Sequence, residues 1–323
     1  MVVGVSGYYG FMNAGDEAIL EAIIQQLQQL GHTPLVFSVN PAETQRRLGV
    51  EAVHRTRSNE VWAAMGRIDR LWLGGGGLLQ DTTSTLSLIY YLGMAQLARL
   101  RGKPVRIFNQ SLGPLTRGGE RMVQAGLRLG QIPCWFREES SLAYARRLGL
   151  RAELGADPAL LLSGPPAQRN PDLVVLVFRG GLDAANRTLA TTAHQLQAEG
   201  YKVIILGLHP GHDEVSSDMF GGLEVVLEWE PYKVLDWVAR AGYVASIRLH
   251  GVILAAAVGT PFAGLSYDPK VEGFCRDAGA YYQQLPGDAR SLAGTILARQ
   301  APNWSAITAM KQRAQQSFVD ALR

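Results

Sequence analysis

The sequence predicts an α/β protein built from two doubly wound parallel-sheet domains in tandem, with a cleft between them. Three observations carry that prediction. Short apolar runs alternate with helix-period segments along nearly the whole chain, the pattern of strands buried on both faces. The rhythm breaks in the proline-rich, aperiodic stretch LLLSGPPAQRNPD (Leu160–Asp172) and then restarts. A chain of 323 residues, 47% of them hydrophobic, is too long for one ordinary core and sufficient for two.

In chain order, VVGVS leads into DEAILEAIIQQLQQLG, where Ile19, Ala22, Ile23, Leu27 and Leu30 share one helical face. Asp16 and Glu17 fall in its first turn, where carboxylates meet the positive helix end, and Gly31 stops it. PLVFSV, RLWL and VRIFN are further strands, each running into a helical pattern. After the break come LVVLVF, a helix through RTLATTAHQLQAEG, then KVIILGL and LEVVL. A helix through YKVLDWVARAG, the strand YVASI, another helix and the strand PFAGLS complete the second half. A last helix, Ser305–Leu322, keeps Ile307, Met310, Ala314, Phe318 and Leu322 on one side and packs back on the body. The expected organisation is a first domain 1–162, a linker 163–172, a second domain 173–302 and the terminal helix 303–323.

Composition excludes several classes. A formal charge of +3 offers no electrostatic case for nucleic acid, which needs clustered Lys and Arg. Cys134 and Cys275 are far apart, without metal spacing, and read as buried thiols in a reducing compartment. No basic and apolar leader opens the chain, and no stretch approaches the length of a spanning helix, so a cytoplasmic protein is expected.

Ligands in doubly wound sheets sit beyond the carboxyl ends of the strands, so the unusual residues at those ends matter most. GYYGFMNAGDEAIL (Gly7–Leu20) is glycine-rich yet fits neither a dinucleotide fingerprint nor a phosphate loop. It offers Asn13 and Asp16 to a ligand, or else makes a tight turn with an N-capping carboxylate. LWLGGGGLLQDTTS (Leu71–Ser84) places four glycines at a strand end, with amides exposed at a helix start and Gln80 and Asp81 on the helix entrance. FNQSLGPL adds Asn109 and Gln110 as candidate sugar hydrogen-bonders, and CWFREESS adds Arg137; a lone arginine there is most often a surface ion pair with Glu138 or Glu139, and only its strand-end position argues for a site.

The second half ends its strands on cations: Arg179, His209 with His212 and Asp213, Arg248 with His250, and Tyr267, Asp268 and Lys270. In a parallel sheet these point to one rim, which reads as a pocket for a compact, multiply charged anion rather than as separate structural ion pairs. His209 and His212 lie in a Pro/Gly loop and no third ligand has convincing spacing, so no metal is expected. There is no Gly-x-Ser-x-Gly elbow and no catalytic cysteine setting.

GYYGFMNAGDEAIL, GGGGLLQDTTS, NQSLGPL, FREESS, ADPALLL, SIRLHGVILAAA and SYDPKVEGF occur in the order that resembles the polysaccharide pyruvyl transferases, over Gly7 to about Phe274. The similarity is greatest to the bacterial type acting on the cell-wall polysaccharide that anchors S-layer proteins. The resemblance implies two Rossmann-like domains of the GT-B kind, with phosphoenolpyruvate as donor substrate and no separate cofactor. It further implies transfer of the enolpyruvyl group to a sugar, N-acetylmannosamine of a lipid-linked or polymeric wall precursor, giving a 4,6-pyruvate ketal. Peripheral association with the inner membrane face through the acceptor, and recognition of the product by S-layer homology domains, follow from the same likeness.

By motif match the donor site comprises Arg137, Arg248 and Lys270, with Arg179 beside them on the rim. His250 is the acid/base, since imidazole titrates near neutrality. Asp16 or Asp81 is the base on the acceptor hydroxyl, and Asn13, Gln80, Asp81 and Gln110 bind the acceptor. The chain departs from the family pattern at Glu138 (usually Asp), at the NQS turn (usually GQG-like) and at Ile247 (usually Met). Two other readings of the same residues are a nucleotide-sugar glycosyltransferase on this fold and a glycan-binding relative without turnover.

Overall fold

The computed structural model describes residues 1–82, 84–128, 130–216 and 218–323; Thr83, within the four-glycine stretch, lies outside them, as do Leu129 and Ser217. Among the described residues one parallel sheet comprises β1 (Val2–Ser6), β2 (Thr33–Ser38), β3 (Glu51–His54), β4 (Arg70–Gly74), β5 (Val105–Gln110), β6 (Cys134–Phe136) and β7 (Ala152–Leu154). Its order is β3-β2-β1-β4-β5-β6-β7. The helices around it are α1 (Ala14–Gln29), α2 (Pro41–Leu48), α3 (Ser58–Arg67), α4 (Thr85–Leu100), α5 (Arg117–Val123) and α6 (Glu139–Arg147). The second sheet comprises β8 (Asn170–Val177), β9 (Lys202–Gly207), β10 (Glu224–Leu227), β11 (Ala241–Ser246), β12 (Phe262–Ser266) and β13 (Tyr281–Gln284), ordered β10-β9-β8-β11-β12-β13. With it go α7 (Asp183–Ala198), α8 (Pro231–Arg240), α9 (Leu249–Ala257), α10 (Pro269–Asp277) and α11 (Ala289–Leu297), and α12 (Trp304–Leu322) follows.

The central strands are buried almost end to end because helices cover both faces of each sheet. One core gathers Phe37, Met65, Leu73, Ile107 and Phe136; the other gathers Val174, Phe178, Leu189, Ile205 and Ala245. Local chemistry sets the helix ends. Asn40 caps α2 by accepting from the Glu43 amide at 3.3 Å, Pro41 begins it, and Gly49 ends it in the left-handed region at φ 65°. Asp268 and Pro269 begin α10 in the same way.

The predicted fold class is the one found: two Rossmann-like α/β domains. Strands β3, β7 and β13 were not legible, being short and only partly buried, so no long apolar run marks them. Strand β8 begins at Asn170, inside the segment expected as a linker. Leu30, expected on the buried face of α1, lies beyond the helix and is 42% exposed.

The chain divides into two compact units. Unit 1 is Met1–Phe11, Ile19–Pro158 and Met310–Arg323; unit 2 is Met12–Ala18 and Ala159–Ala309. The second half of α12 therefore belongs to unit 1, where Phe318 meets Phe108 edge-on at 4.7 Å. The segment Met12–Ala18 precedes most of unit 1 in sequence but is bound to unit 2, its Ala14 amide donating to the Leu208 carbonyl at 2.9 Å. No helix of the described residues is long and apolar enough to cross a membrane.

Each sheet reverses its strand order once, between β1 and β4 in unit 1 and between β8 and β11 in unit 2. The crevice outside the carboxyl ends at such a reversal is where this architecture receives ligands.

Candidate functional site

In unit 2 the register fixes what stands at the reversal. Ser246 of β11 pairs with Val177 of β8, and the Ile247 amide donates to the Val177 carbonyl at 2.9 Å. Arg179 and Arg248 are each two residues past that pair, so they leave adjacent strands at the same level. Arg248 is also the residue before α9, whose run of Gly, Val, Ile, Leu and Ala is buried from Gly251 to Ala257. The cation thus sits at the open end of a buried apolar wall, at the amino-terminal, positive end of α9.

Arg248 is held there by Asp213. Its Nε donates to Oδ2 at 2.7 Å and its Nη2 to Oδ1, a bidentate pair with the Asp213 side chain fully buried and that of Arg248 14% exposed. The same carboxylate accepts from the amides of Leu208 (2.9 Å), His209 (3.0 Å) and Gly180 (3.1 Å). One buried carboxylate therefore ties together the loops after β8, β9 and β11. Sequence reading noticed Asp213 only beside His209 and His212; nothing local marks it as the partner of an arginine 35 residues on.

Arg179 is partly exposed and lies over the ring of Tyr267, guanidinium carbon to centroid 4.2 Å, a cation–π contact. Burial raises the Tyr267 hydroxyl above its ordinary range, with Arg179 opposing that shift, so the ring stays neutral beneath the guanidinium. Lys270, in the first turn of α10, has its Nζ 3.9 Å from Asp268. His209 is buried and its ring lies 4.2 Å from that of His212.

His250 meets the NAGD segment. A Cβ added to Gly15 would stand 2.1 Å from His250 Nδ1, so only glycine permits the approach. The segment is braced from within: Asn13 Nδ2 donates to Asp16 Oδ2 at 2.7 Å, and the Gly15 amide donates to Asn13 Oδ1 at 3.1 Å. Asn13, Asp16, Arg179, Arg248, His250 and Lys270 thus all belong to unit 2. The sequence expectation had divided them between domains.

Unit 1 holds Gln80, Asp81, Gln110 and Arg137. Here the structure differs from expectation in three ways. The four glycines do not open a helix: α4 starts only at Thr85, capped by Ser84. Gly75 adopts φ 65° and packs on α1, where an added Cβ would lie 2.0 Å from Ile19 Cγ2. Gly74 and Gly75 thus serve close packing of the strand end on α1.

Asp81, expected at an acceptor, is buried and accepts from the Thr116 amide at 2.8 Å and from the Thr116 hydroxyl, ahead of α5. The Thr116 hydroxyl bond draws its carboxyl below the usual range. Gln110 is fully buried, with Nε2 donating to the Leu73 carbonyl at 2.5 Å. Gln80 remains partly exposed, its Oε1 accepting from Thr82 at 3.0 Å.

Arg137 is the third difference. Its side chain is 4% exposed, with Nε donating to Ser111 Oγ (2.8 Å) and Glu138 Oε2 (3.2 Å) and Nη1 to Asp157 Oδ2 (2.7 Å). Ser141 donates to Glu138 and accepts from the Leu112 amide at 2.8 Å. NQSLGPL, FREESS and ADPALLL thus converge on one buried polar cluster. An arginine placed between two carboxylates is neutralised before any donor arrives; the ion pair with Glu138 is one the sequence suggests, though it is buried rather than on the surface, and the second partner, Asp157, is not marked there.

An aromatic group not expected from the sequence stands at the unit 1 reversal. Tyr8 and Phe11, in the loop after β1, stack at 3.9 Å and 5°. Arg55 lies 4.2 Å over Tyr90 and 5.4 Å from Phe11, and donates to the Gly7 carbonyl at 3.3 Å. The two aromatics of GYYGF were the available signal.

Two Rossmann-like units in tandem define a GT-B-like fold, and solved structures with a similar fold align along the whole length of the chain. The UDP-GlcNAc 2-epimerase of Neisseria meningitidis, bound to UDP-GlcNAc, aligns over 99% of each chain at 12% identity with a TM-score of 0.61. MurG of Acinetobacter baumannii covers 99% of this chain and 98% of its own at 14% identity, TM-score 0.56. A glycosyltransferase of Rickettsia africae covers 99% and 93% at 9% identity, TM-score 0.58. These likenesses concern the fold. No curated protein matches in sequence. The sequence model of the family Polysaccharide pyruvyl transferase matches residues 13–269, from the NAGD segment to the start of α10, and the chain belongs to that family.

Proposed function

We propose that this transferase moves the enolpyruvyl group of phosphoenolpyruvate onto a hydroxyl pair of a cell-wall saccharide, forming a 4,6-pyruvate ketal and releasing phosphate. The observation that carries the reading is the pair Arg179 and Arg248, level with one another at the strand reversal of unit 2, with Lys270 in the first turn of the helix after the next strand. A three-carbon ligand bearing a carboxylate and a phosphate needs several cations in a small volume, and guanidinium pairs bidentately with either group.

In this account Arg248, aimed by Asp213, and Arg179, braced on Tyr267, hold the donor, and Lys270 adds a point charge. His250, against Gly15, delivers a proton to the donor's methylene carbon. A sugar hydroxyl oxygen attacks the adjacent oxocarbenium-like carbon, phosphate leaves, and the second hydroxyl closes the ketal. One hydroxyl proton restores His250 through Asp16, and the other leaves with phosphate. Asn13 hydrogen-bonds the acceptor in this account, and Gln80 keeps only the acceptor role that the family resemblance implies. Asp81, Gln110 and Arg137 act through the loops they order. We assign N-acetylmannosamine on a lipid-linked wall precursor as acceptor, and S-layer homology domains as readers of the product, on the family resemblance.

The glycosyltransferase reading keeps support from the structural neighbours, one of which binds UDP-GlcNAc. Mass spectrometry decides: incubation with phosphoenolpyruvate and an N-acetylmannosaminide should add one pyruvyl group without nucleotide. Transfer of sugar from a UDP-sugar, with none from phosphoenolpyruvate, would replace the reading.

A further inference from the structure

At the amino-terminal edge of the unit 1 sheet, the end away from Gly7, Gln80 and Arg137, lies a cavity of about 390 Å³. Arg99, Lys103, Arg106 and Arg151 line it, with Val105 and Ile132 among the other walls and no acidic residue. Topology brings them together: β5, β6 and β7 are neighbours starting at Val105, Cys134 and Ala152, so Lys103 and Arg151 lie just ahead of two of these strands.

The cations are held, not merely present. Arg106 donates from Nε to the Ala321 carbonyl at 3.2 Å and from Nη1 to the Val105 carbonyl at 3.1 Å. Arg70, at the start of β4, donates to the same Ala321 carbonyl. Arg99 is steadied by Gln96 at 3.0 Å. Among the described residues no carboxylate lies within ion-pair distance of Arg70, Arg99, Lys103, Arg106 or Arg151. Burial first, then the charges of Arg70 and Arg151, lower Arg106 below the usual guanidinium range. Such a like-charged group is unfavourable until an anion enters it.

We infer that this cavity is a second anion site, distinct from the strand-end site of unit 2, for a ligand carrying phosphate or diphosphate groups. Its volume falls in the range of about 300–1,000 Å³ for small-ligand pockets. It has no carboxylate to hold sugar hydroxyls and no aromatic ring to stack a base, whereas guanidinium and ammonium groups match phosphate oxygens. The source is either a soluble phosphorylated compound or the headgroup of an anionic lipid.

Calorimetric titration with inorganic diphosphate, at physiological ionic strength, tests this on the full chain. Arg99 and Arg151 are exposed, so Arg99→Glu/Arg151→Glu alters charge without opening a core. Affinity should fall by about tenfold or more, equivalent to about 1.4 kcal/mol. It should persist in Arg248→Ala, which lies in the other unit, and in Arg146→Glu/Arg290→Glu, exposed residues that change net charge equally. Arg151→Ala alone should weaken binding less, giving a graded reading should the double variant misfold. No diphosphate binding by the wild type, or equal losses in the lining and control pairs, would overturn the site. Co-sedimentation with phosphatidylglycerol vesicles but not phosphatidylcholine vesicles, lost in Arg99→Glu/Arg151→Glu, would identify the lipid source. Diphosphate binding without co-sedimentation would identify the soluble one.

Discussion

The two units place an arginine at the end of a strand and do opposite things with it. In unit 1 Arg137 is enclosed by Ser111, Glu138 and Asp157, nearly inaccessible. In unit 2 Arg248 has, among the described residues, one carboxylate partner, stays 14% exposed and stands level with a second arginine, Arg179. A guanidinium between two buried carboxylates stiffens a loop junction; one with a single partner, beside another cation, still attracts an anion. Of the two, Arg248 is the one left able to take a further anion, whereas Arg137 is committed to the polar cluster of unit 1.

Changing the carboxylates that hold each arginine tests that contrast first. Asp213→Ala removes a buried charge with four backbone or side-chain donor groups around it, and should destabilise unit 2 by about 3–5 kcal/mol, measured by chemical denaturation. Asp157→Asn in unit 1 should also destabilise, but should leave phosphoenolpyruvate affinity nearly intact in the folded fraction.

His250→Ala should abolish phosphate release while donor binding persists. Gly15→Ala sharpens the same point, because the added Cβ must displace the imidazole. Its kcat should fall by about tenfold or more, a barrier change of at least about 1.4 kcal/mol, with a smaller change in donor affinity.

Asp81→Asn is the milder case, costing about 1–3 kcal/mol for lost charge-assisted bonds to Thr116. Because the folded carboxyl sits below its ordinary range, its contribution is present above the unfolded carboxylate pKa and fades as pH falls through the folded one. Acid melts of wild type should therefore converge on those of Asp81→Asn. The smallest effect concerns the thiols: Cys134 and Cys275 are buried, and burial pushes Cys275 up to about 12. Neither should alkylate in the native protein.

Much of this was legible in the sequence, and for definite reasons. Runs such as LVVLVF and VRIFN announce strands because helices cover both faces, and the strand-end position of Arg179, Arg248 and His250 follows once the runs are placed. Family resemblance, not spacing, gave those residues separate tasks. What stayed hidden depends on contacts across the chain. Asp213 meets Arg248, Gly15 meets His250, and Asp157 meets Arg137 over separations that no local pattern encodes. Asp81 and the four glycines looked open because glycine and aspartate serve ligand loops and tight packing alike.

The most direct test is titration of phosphoenolpyruvate into the wild type, Arg179→Ala/Lys270→Ala and Glu138→Gln. The account predicts that affinity drops by about tenfold or more in the unit 2 variant and changes by less than about twofold in folded Glu138→Gln. Unchanged affinity in Arg179→Ala/Lys270→Ala, with the loss appearing in Glu138→Gln, would contradict it and move the donor site to unit 1.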